Sequence, residues 1–316
     1  MRYRTFADTD LDISEITFGA LRFVDGAQAT NDEELGRRAI LEALDAGVNT
    51  IHSSYEYGTR WALEKILAQH PARADLHHII KVPSPDYSDP AFSEAQFRGH
   101  VETALRELKT ERIAIVQHLQ RGVPKDIIYD ERGDPDRIAR MADTNAALVR
   151  TAQAMRAEGK IGHVITFPHT VGYAKPAVAS GAFDGLIAFW NFLETEMLEV
   201  FDQCHARGMG VFSMRPYLQG ILTDKRADRS RLAAGDPKRD RAWDGHYALF
   251  EKVQQALGDD VTSWNDAAIR FALSHPAITS VVVSLNNPEQ VRAAVAAIDG
   301  PQFDRDTLER VAALAH

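Results

Sequence analysis

The sequence of 316 residues contains a single cysteine, so no disulfide can form within the chain. Small secreted folds usually depend on several disulfides, whereas a lone thiol suits a reducing compartment. Cys204 lies in a helical stretch, and we predict a packing role for it. No apolar run approaches the roughly 18 residues that cross a bilayer, and the first residues lack the apolar core of a signal peptide. We therefore expect a cytoplasmic protein with no membrane partner.

Basic blocks are missing as well. The 36 Lys and Arg residues are outnumbered by 45 Asp and Glu residues, which gives a net charge of −9. Nucleic-acid-binding proteins normally carry a basic patch, so we expect no nucleic acid partner. The 12 histidines are scattered without the spacing of a zinc helix, and the chain has no Gly-rich phosphate loop and no Gly-x-Ser-x-Gly motif. We expect no bound metal and a small-molecule substrate, while oligomeric state stays open.

Short β-branched segments alternate with amphipathic helical segments along the whole chain, and the first predicted helix covers residues 32–46. The predicted strands, each followed by a predicted helix, are residues 15–18, 50–52, 78–82, 113–116, 163–166, 185–189, 210–213 and 280–283. Eight such repeats without a break in composition predict a single (β/α)8 TIM barrel domain over residues 1–316. Residues 3–14 alternate around an Asp-Thr-Asp turn and predict an N-terminal β-hairpin.

Two segments interrupt this alternation. Residues 120–143 are polar and follow the fourth predicted strand, and residues 223–244 are highly charged and follow the seventh. Both are strand-to-helix connections, which lie on the side of such barrels that carries the active site. Long connections there are usually substrate loops or lids, and the alternative is a solvated excursion.

Several segments match a known family in order along the chain. Residues 46–58 read Ala-Gly-Val-Asn-Thr-Ile-His-Ser-Ser-Tyr-Glu-Tyr-Gly. This resembles the aldo-keto reductase signature, in which a strand ends in Asp-Thr-Ala and a Tyr-Gly follows. Residues 2–19 resemble the opening hairpin and first strand of that family. Further matching stretches are residues 159–163, 183–191, 209–220, 280–283 and 287–290. The resemblance therefore spans the whole chain and implies the same barrel.

The resemblance implies reduction of a small carbonyl compound with NADPH. In this family a tyrosine donates the proton, a lysine activates it, an aspartate orients the lysine and a histidine orients the substrate. Tyr57 lies at the tyrosine position, and Lys81 lies at the lysine position in an otherwise apolar strand. A phenol titrates near pH ~10, so it needs a nearby cation to act as an acid at neutral pH. Tyr57 and Lys81 are therefore our predicted catalytic pair.

Two catalytic positions differ from the family. His52 occupies the aspartate position, and we expect Lys81 to keep its imidazole neutral, a form that can itself serve as a general acid or base. Strand register puts Leu119 at the histidine position and His118 one residue earlier. In a regular strand His118 faces the opposite side, whereas a bulge would turn it into the site. We retain His52 and His118 as altered catalytic partners.

The resemblance also implies cofactor contacts. Trp190 matches the aromatic residue that stacks on the nicotinamide, and Arg215 lies where the family contacts the pyrophosphate. The helix that follows residue 287 offers its N-terminus to a phosphate, and Asn286 and Gln290 are the contacts we predict there. Arg292 would reach the 2′-phosphate or, alternatively, lie exposed on that helix.

Other cofactor positions carry residues that cannot make the contacts of the family. Phe167 and Pro168 replace a Ser-Asn pair, and Ile187 replaces a glutamine that holds the nicotinamide amide. Ala293 and Ala294 replace two residues that hold the adenine. Each lost contact is worth about 1 kcal/mol, so their joint loss would weaken cofactor binding.

Three hypotheses follow from the sequence. The first is an NADPH-dependent oxidoreductase with Tyr57 as proton donor and Lys81 as its activator. The second is a non-redox acid–base enzyme on the same barrel, such as a lyase, a dehydratase or an isomerase. The third is a non-enzymatic binding or regulatory subunit. The retained Tyr-Lys pair favours the first hypothesis, and the sequence leaves the identity of the substrate open.

Overall fold

The computed structural model describes residues 1–22, 33–87 and 89–315. Its strands are β1 (Tyr3–Thr5), β2 (Asp12–Ser14), β3 (Ile16–Gly19), β4 (Thr50–Ser54), β5 (His77–Pro83), β6 (Ile113–Leu119), β7 (Ile161–Thr166), β8 (Gly185–Phe189), β9 (Gly210–Met214) and β10 (Ile278–Val283). The helices within these ranges are α1 (Glu33–Asp45), α2 (Arg60–Leu67), α3 (Glu94–Leu108), α4 (Asp134–Ala139), α5 (Met141–Ala157), α6 (Val171–Ala179), α7 (Leu198–Ala206), α8 (Asp244–Leu257), α9 (Trp264–Leu273), α10 (Pro288–Ala297) and α11 (Arg305–Ala312). The predicted start of the first helix, residue 32, lies outside the described residues.

Strands β3 to β10 close into a parallel barrel in which each strand pairs with its neighbours in the sequence and β10 pairs with β3. Strands β1 and β2 form a separate antiparallel hairpin. Parallel neighbours need crossover connections, and the helices of the alternating pattern provide them. The predicted (β/α)8 barrel with an N-terminal hairpin is thus confirmed. In the part of the chain that the structure describes, no helix has both the length and the apolar character needed to span a lipid bilayer.

Side chains along each barrel strand alternate between the interior and the surrounding helices. The interior cluster includes Ile79, Ile115, Ile165, Ile187, Phe212 and Val282. Their neighbours Ile80, Val116 and Val164 pack in the larger cluster with the helices. The odd or even place of a residue in its strand therefore decides which of the two layers it enters.

The hairpin closes the amino-terminal end of the barrel. Phe6, fully buried, inserts into the interior cluster, where its ring centre lies 5.6 Å from that of Phe212. Two strands leave room for this ring by starting with glycine: a Cβ on Gly185 would lie 2.9 Å from Phe6, and a Cβ on Gly210 would collide with it. The opposite end of the barrel stays available for a site.

The two long polar connections fold into short helical pieces. Residues 120–143 contain α4 and short 3-10 turns, and residues 223–244 contain further 3-10 turns before α8 begins. Helices α4, α8 and α11 were not predicted from the sequence. Helix α8 buries Tyr247, Phe250, Val253 and Leu257, a spacing of three to four residues that was available in the sequence.

One buried histidine of the helix layer affects stability. His118 on β6 packs among Phe92, Phe97 and Phe183, and its Nε2 lies 2.7 Å from the Ser84 carbonyl oxygen. Burial lowers the pKa of His118 to about 4. An exposed histidine titrates near ~6.5, so the unfolded chain takes up this proton at a higher pH than the folded chain. The contribution of His118 to stability is thus complete above pH ~6.5 and is lost as the pH falls toward ~4.

We predict that the free energy of unfolding falls less steeply between pH 7 and pH 5 in His118→Asn than in the wild type. Each displaced proton changes the free energy by up to about 1.4 kcal/mol per pH unit. Chemical denaturation at several pH values measures this slope. His205→Asn, which removes an exposed histidine, is the control and should leave the slope unchanged. Equal slopes in wild type and His118→Asn would contradict the prediction.

Candidate active site

Three predicted residues meet at the carboxyl ends of β4 and β5. Ser54 caps the short 3-10 turn Tyr55–Tyr57, and Gly58 ends it with a left-handed φ of 66°, which suits glycine. The turn buries the Tyr57 ring, 6.3 Å from the imidazole of His52 between ring centres. Lys81 Nζ lies 4.9 Å from the centre of the Tyr57 ring. The structure therefore brings Tyr57, Lys81 and His52 together.

His52 is held by a residue that the sequence analysis did not single out. Its Nε2 lies 2.6 Å from Oε1 of Gln117, which projects into the barrel from β6. Burial, followed by the charge of Lys81, lowers the pKa of His52 to about 3. His52 therefore stays neutral at physiological pH and is held through its hydrogen bond to Gln117. We call His52, Tyr57, Lys81 and Gln117 the site floor.

The site floor carries one positive charge without a counter-ion. Within the described ranges, no carboxylate forms an ion pair with Lys81, and its ammonium group contacts the ring of Tyr57. Lys81 is only partly buried, so water can hydrate its ammonium group. An unpaired cation of this kind attracts negative charge that develops nearby.

The structure does not bring His118 to the site floor. Strands β5 and β6 stay in register from Ile79–Ile115 to Pro83–Leu119, with no bulge. His118 therefore faces the helices, and the expectation that a bulge would turn it inward is corrected. Leu119, at the histidine position of the family, faces the interior as an apolar side chain.

Trp190 also lies away from the site. It is fully buried, its ring stacks on Phe271 at 5.3 Å, and its Nε1 donates to the Phe271 carbonyl oxygen at 3.3 Å. The preceding residue, Phe189, faces the interior instead, with the Arg215 guanidinium 4.3 Å from its ring centre. The predicted stacking role of Trp190 is thus corrected by strand alternation, which gives the inward position to Phe189.

An aromatic wall borders the site floor. It consists of Tyr129, Phe167, His169 and Phe189, with neighbouring ring centres 4.2 to 6.3 Å apart. Burial, together with the charges of Arg137, Arg121 and Lys81, lowers the pKa of His169 well below its usual value. Tyr129 comes from the first long connection and stays 58% exposed. The wall therefore gives a ligand at the mouth an apolar, uncharged side.

Arg121 clamps the turn that carries Tyr57. One guanidinium nitrogen donates to Tyr55 Oη at 2.9 Å and to Asp86 Oδ1 at 2.7 Å, and the other donates to Glu56 Oε1 at 2.9 Å. Its side chain is only 5% exposed. Arg121 thus ties the start of the first long connection to the residues that precede the predicted proton donor.

We call Arg22, Arg215, Arg226 and Lys238 the cationic cluster, and it adjoins the aromatic wall where the Arg215 guanidinium lies against Phe189. Lys238 Nζ sits 3.4 Å from Gln219 Oε1 and 3.4 Å from the ring centre of Trp243. Burial, together with the charges of the three arginines, lowers the pKa of Lys238 to about 8. The cluster includes partial counter-charges, since Arg226 pairs with Asp236 and Arg215 pairs with Glu194.

The remaining predicted cofactor residues take part in interactions within the protein. Asn287 caps α10 by accepting from the Gln290 backbone N–H at 2.8 Å, and Gln290 Oε1 accepts from the Asn286 backbone N–H at 2.8 Å. Arg292 is 57% exposed and pairs with Glu42 of α1 at 3.0 Å. These contacts engage Gln290 Oε1 and one guanidinium nitrogen of Arg292.

We predict that Arg121→Met lowers the free energy of unfolding by about 1–3 kcal/mol, because two carboxylates and a phenol lose charged hydrogen bonds. Both carboxylates remain partly exposed and can be hydrated, which limits the loss. Chemical denaturation measures the change. The matched control is Arg132→Met, since Arg132 is 76% exposed in its pair with Asp130 and its loss should change the free energy of unfolding far less. Equal losses in both variants would contradict a clamp at Arg121.

Comparison with known proteins gives a consistent result. Residues 15–316 match the profile of the Aldo/keto reductase family. L-Galactose dehydrogenase of Arabidopsis thaliana is 26% identical over 328 aligned residues, which cover 98% of this chain and 93% of that protein. Among solved structures, the holo form of aldo-keto reductase AKR11C1 from Bacillus halodurans has a TM-score of 0.74 at 19% identity, with 100% and 97% coverage. Glycerol dehydrogenase AKR11B4 of Gluconobacter oxydans has a TM-score of 0.70 at 18% identity, with 99% and 94% coverage.

Proposed function

This chain belongs to the aldo/keto reductase family, and we propose that it is an NADPH-dependent oxidoreductase that reduces a small carbonyl compound. The observation that carries the proposal is the contact of Lys81 with Tyr57 at the carboxyl ends of the barrel strands. Two relatives are named as dehydrogenases, one of L-galactose and one of glycerol. Their names support redox chemistry on a small polyhydroxylated molecule.

In the proposed chemistry, one residue donates the proton and a second residue stabilises the anion that this donation leaves. The Tyr57 hydroxyl donates its proton to the carbonyl oxygen, and the ammonium of Lys81 stabilises the phenolate that remains. NADPH, when bound, supplies the hydride that reduces the carbonyl carbon. His52 stays neutral and keeps its place through Gln117, so it neither donates nor removes a proton in this scheme.

The residues at the mouth fit a dinucleotide in part. The cationic cluster offers four positive side chains near the carboxyl end of β9, and guanidinium and ammonium groups are good phosphate donors. Arg215 and Lys238 would hold the phosphates, and Phe189 would take the stacking role predicted for Trp190. Phe167 and Ile187 give no hydrogen bond to a nicotinamide amide, so we expect modest affinity.

We predict that NADPH binds and that Lys238→Met weakens its binding by about tenfold, because one phosphate donor is lost. Titration with NADPH, followed by nicotinamide fluorescence, measures the dissociation constant. The control is Lys252→Met, which removes an exposed lysine of α8 and should leave the affinity unchanged. If wild-type protein binds no NADPH at millimolar concentration, the redox proposal fails.

We predict that Tyr57→Phe lowers kcat by about 10²–10⁴ while NADPH affinity stays unchanged, because only the proton donor is removed. Steady-state reduction of a panel of small aldehydes, ketones and sugars measures this loss. Tyr3→Phe is the control, since Tyr3 lies in the hairpin at the opposite end of the barrel. A Tyr57→Phe variant with full activity would rule out Tyr57 as the proton donor.

A non-redox acid–base enzyme is the second candidate. It is favoured by the absence of a carboxylate partner for Lys81 among the described residues and by the apolar side chains at Phe167 and Ile187. Turnover of a panel substrate without any nicotinamide, lost in Tyr57→Phe, would support this candidate. Turnover that requires NADPH would exclude it.

A further inference from the structure

The side chain of Gln117 has one amide edge in use and the other without a partner. Gln117 is fully buried, and its Oε1 accepts from His52 Nε2. Its Nε2 has no hydrogen-bond partner among the described residues. A buried donor without a partner is unfavourable, and this one lies beside the other residues of the site floor, so its free amide edge is suited to bind an oxygen of a ligand.

The surroundings of Gln117 define where that ligand would lie. Gln117 is the register partner of Lys81 on the adjacent strand. Lys81 contacts Tyr57, the Tyr57 ring lies beside His52, and His52 returns to Gln117 through the hydrogen bond. The four side chains of the site floor are therefore neighbours, with Gln117 hydrogen-bonded to His52 and Lys81 in contact with the Tyr57 ring. Gln117 Nε2, Lys81 Nζ and the Tyr57 hydroxyl are its available donors, and none of the four residues is a carboxylate.

We propose that Gln117 Nε2 binds the reacting oxygen of the substrate, in place of the missing family histidine at Leu119, and that His52 is the positioning residue that holds this amide edge toward the ligand. The inference rests on the proposed function for the identity of the reaction. The hydrogen bond from His52 fixes which amide atom is free, because a neutral imidazole whose Nε2 carries the proton can only donate to Oε1. With the Gln117 amide and the Lys81 ammonium as donors and no carboxylate, the floor favours an electron-rich oxygen, such as a polarised carbonyl or a carboxylate.

Nuclear magnetic resonance tests the binding step without cofactor or turnover. Protein labelled with [15N]glutamine gives one side-chain amide pair that is missing in Gln117→Met, which assigns it. Pyruvate is the probe, because it is small and presents only acceptor oxygens to the site floor. We expect the assigned pair to shift at millimolar pyruvate. No shift of that pair at any concentration tested overturns the proposal, whether or not NADPH binds.

The tautomer of His52 is a second readout. Long-range 1H–15N spectra should show His52 protonated on Nε2, as donation to Gln117 Oε1 requires. Protonation on Nδ1 would mean that Gln117 donates to His52, and the proposed free donor would not exist. That result would overturn the assignment.

A rescue experiment on activity distinguishes a substrate-binding role of Gln117 from a purely structural one. Gln117→Met should lower kcat/KM on the order of 10², as expected for the loss of one oxyanion donor, with NADPH affinity unchanged. Adding Leu119→His to this variant should recover most of the loss, since position 119 faces the interior two residues further along β6. A double variant as slow as Gln117→Met, in an enzyme whose wild type reduces the panel, overturns the proposal. If the wild type reduces nothing, the proposed function fails and the resonance experiment alone decides the role of Gln117.

Discussion

The alternation of side chains along eight closed parallel strands decides almost everything about this site. Each barrel strand offers every second residue to the interior, and the residue between them packs against a helix. Gln117 and His118 are neighbours in the sequence, yet one reaches the site floor and the other is enclosed by phenylalanines. Phe189 and Trp190 are separated in the same way. Because the barrel is closed and both of its layers are packed, neither pair can exchange places without breaking the register.

This constraint also explains what could be predicted. The strand–helix alternation was sufficient to predict the barrel and the hairpin, since periodicity is a local property of the sequence. The family resemblance was sufficient to predict that Tyr57 and Lys81 lie together. A family resemblance aligns residues without fixing which layer each one enters, and for this reason Trp190 and His118 were predicted at the site. Gln117 could have been predicted as a site residue, because it is a polar residue in an apolar strand, and this is the same feature that singled out Lys81.

The roles of Arg121 and Lys238 could not be predicted from the sequence, for a different reason. Both lie in long polar connections where charged residues are ordinary, and their roles depend on partners distant in the chain. Arg121 becomes significant only because the turn at Tyr55 and Glu56 folds against it, 65 or more residues earlier in the sequence. Lys238 becomes significant only because the connection after β9 folds back on itself and buries Lys238 against Gln219 and Trp243. No local pattern encodes either contact, since each arises from tertiary packing around the mouth.

His52 stands at the position where the family has an aspartate, and this difference changes the electrostatics of the site floor more than its shape. A carboxylate beside Lys81 would cancel most of the field that the ammonium exerts on Tyr57, whereas a neutral imidazole cancels none of it. The floor therefore carries one more unit of positive charge than it would with the family residue, and this favours both a phenolate at Tyr57 and an anionic oxygen on the ligand. Lys81 tolerates the missing counter-ion because it is only partly buried, while His52 meets the cost of its own burial by staying neutral and bonding to Gln117. In the proposed mechanism, the substitution leaves Lys81 to activate Tyr57 and gives the orienting task to the neutral, hydrogen-bonded pair of His52 and Gln117.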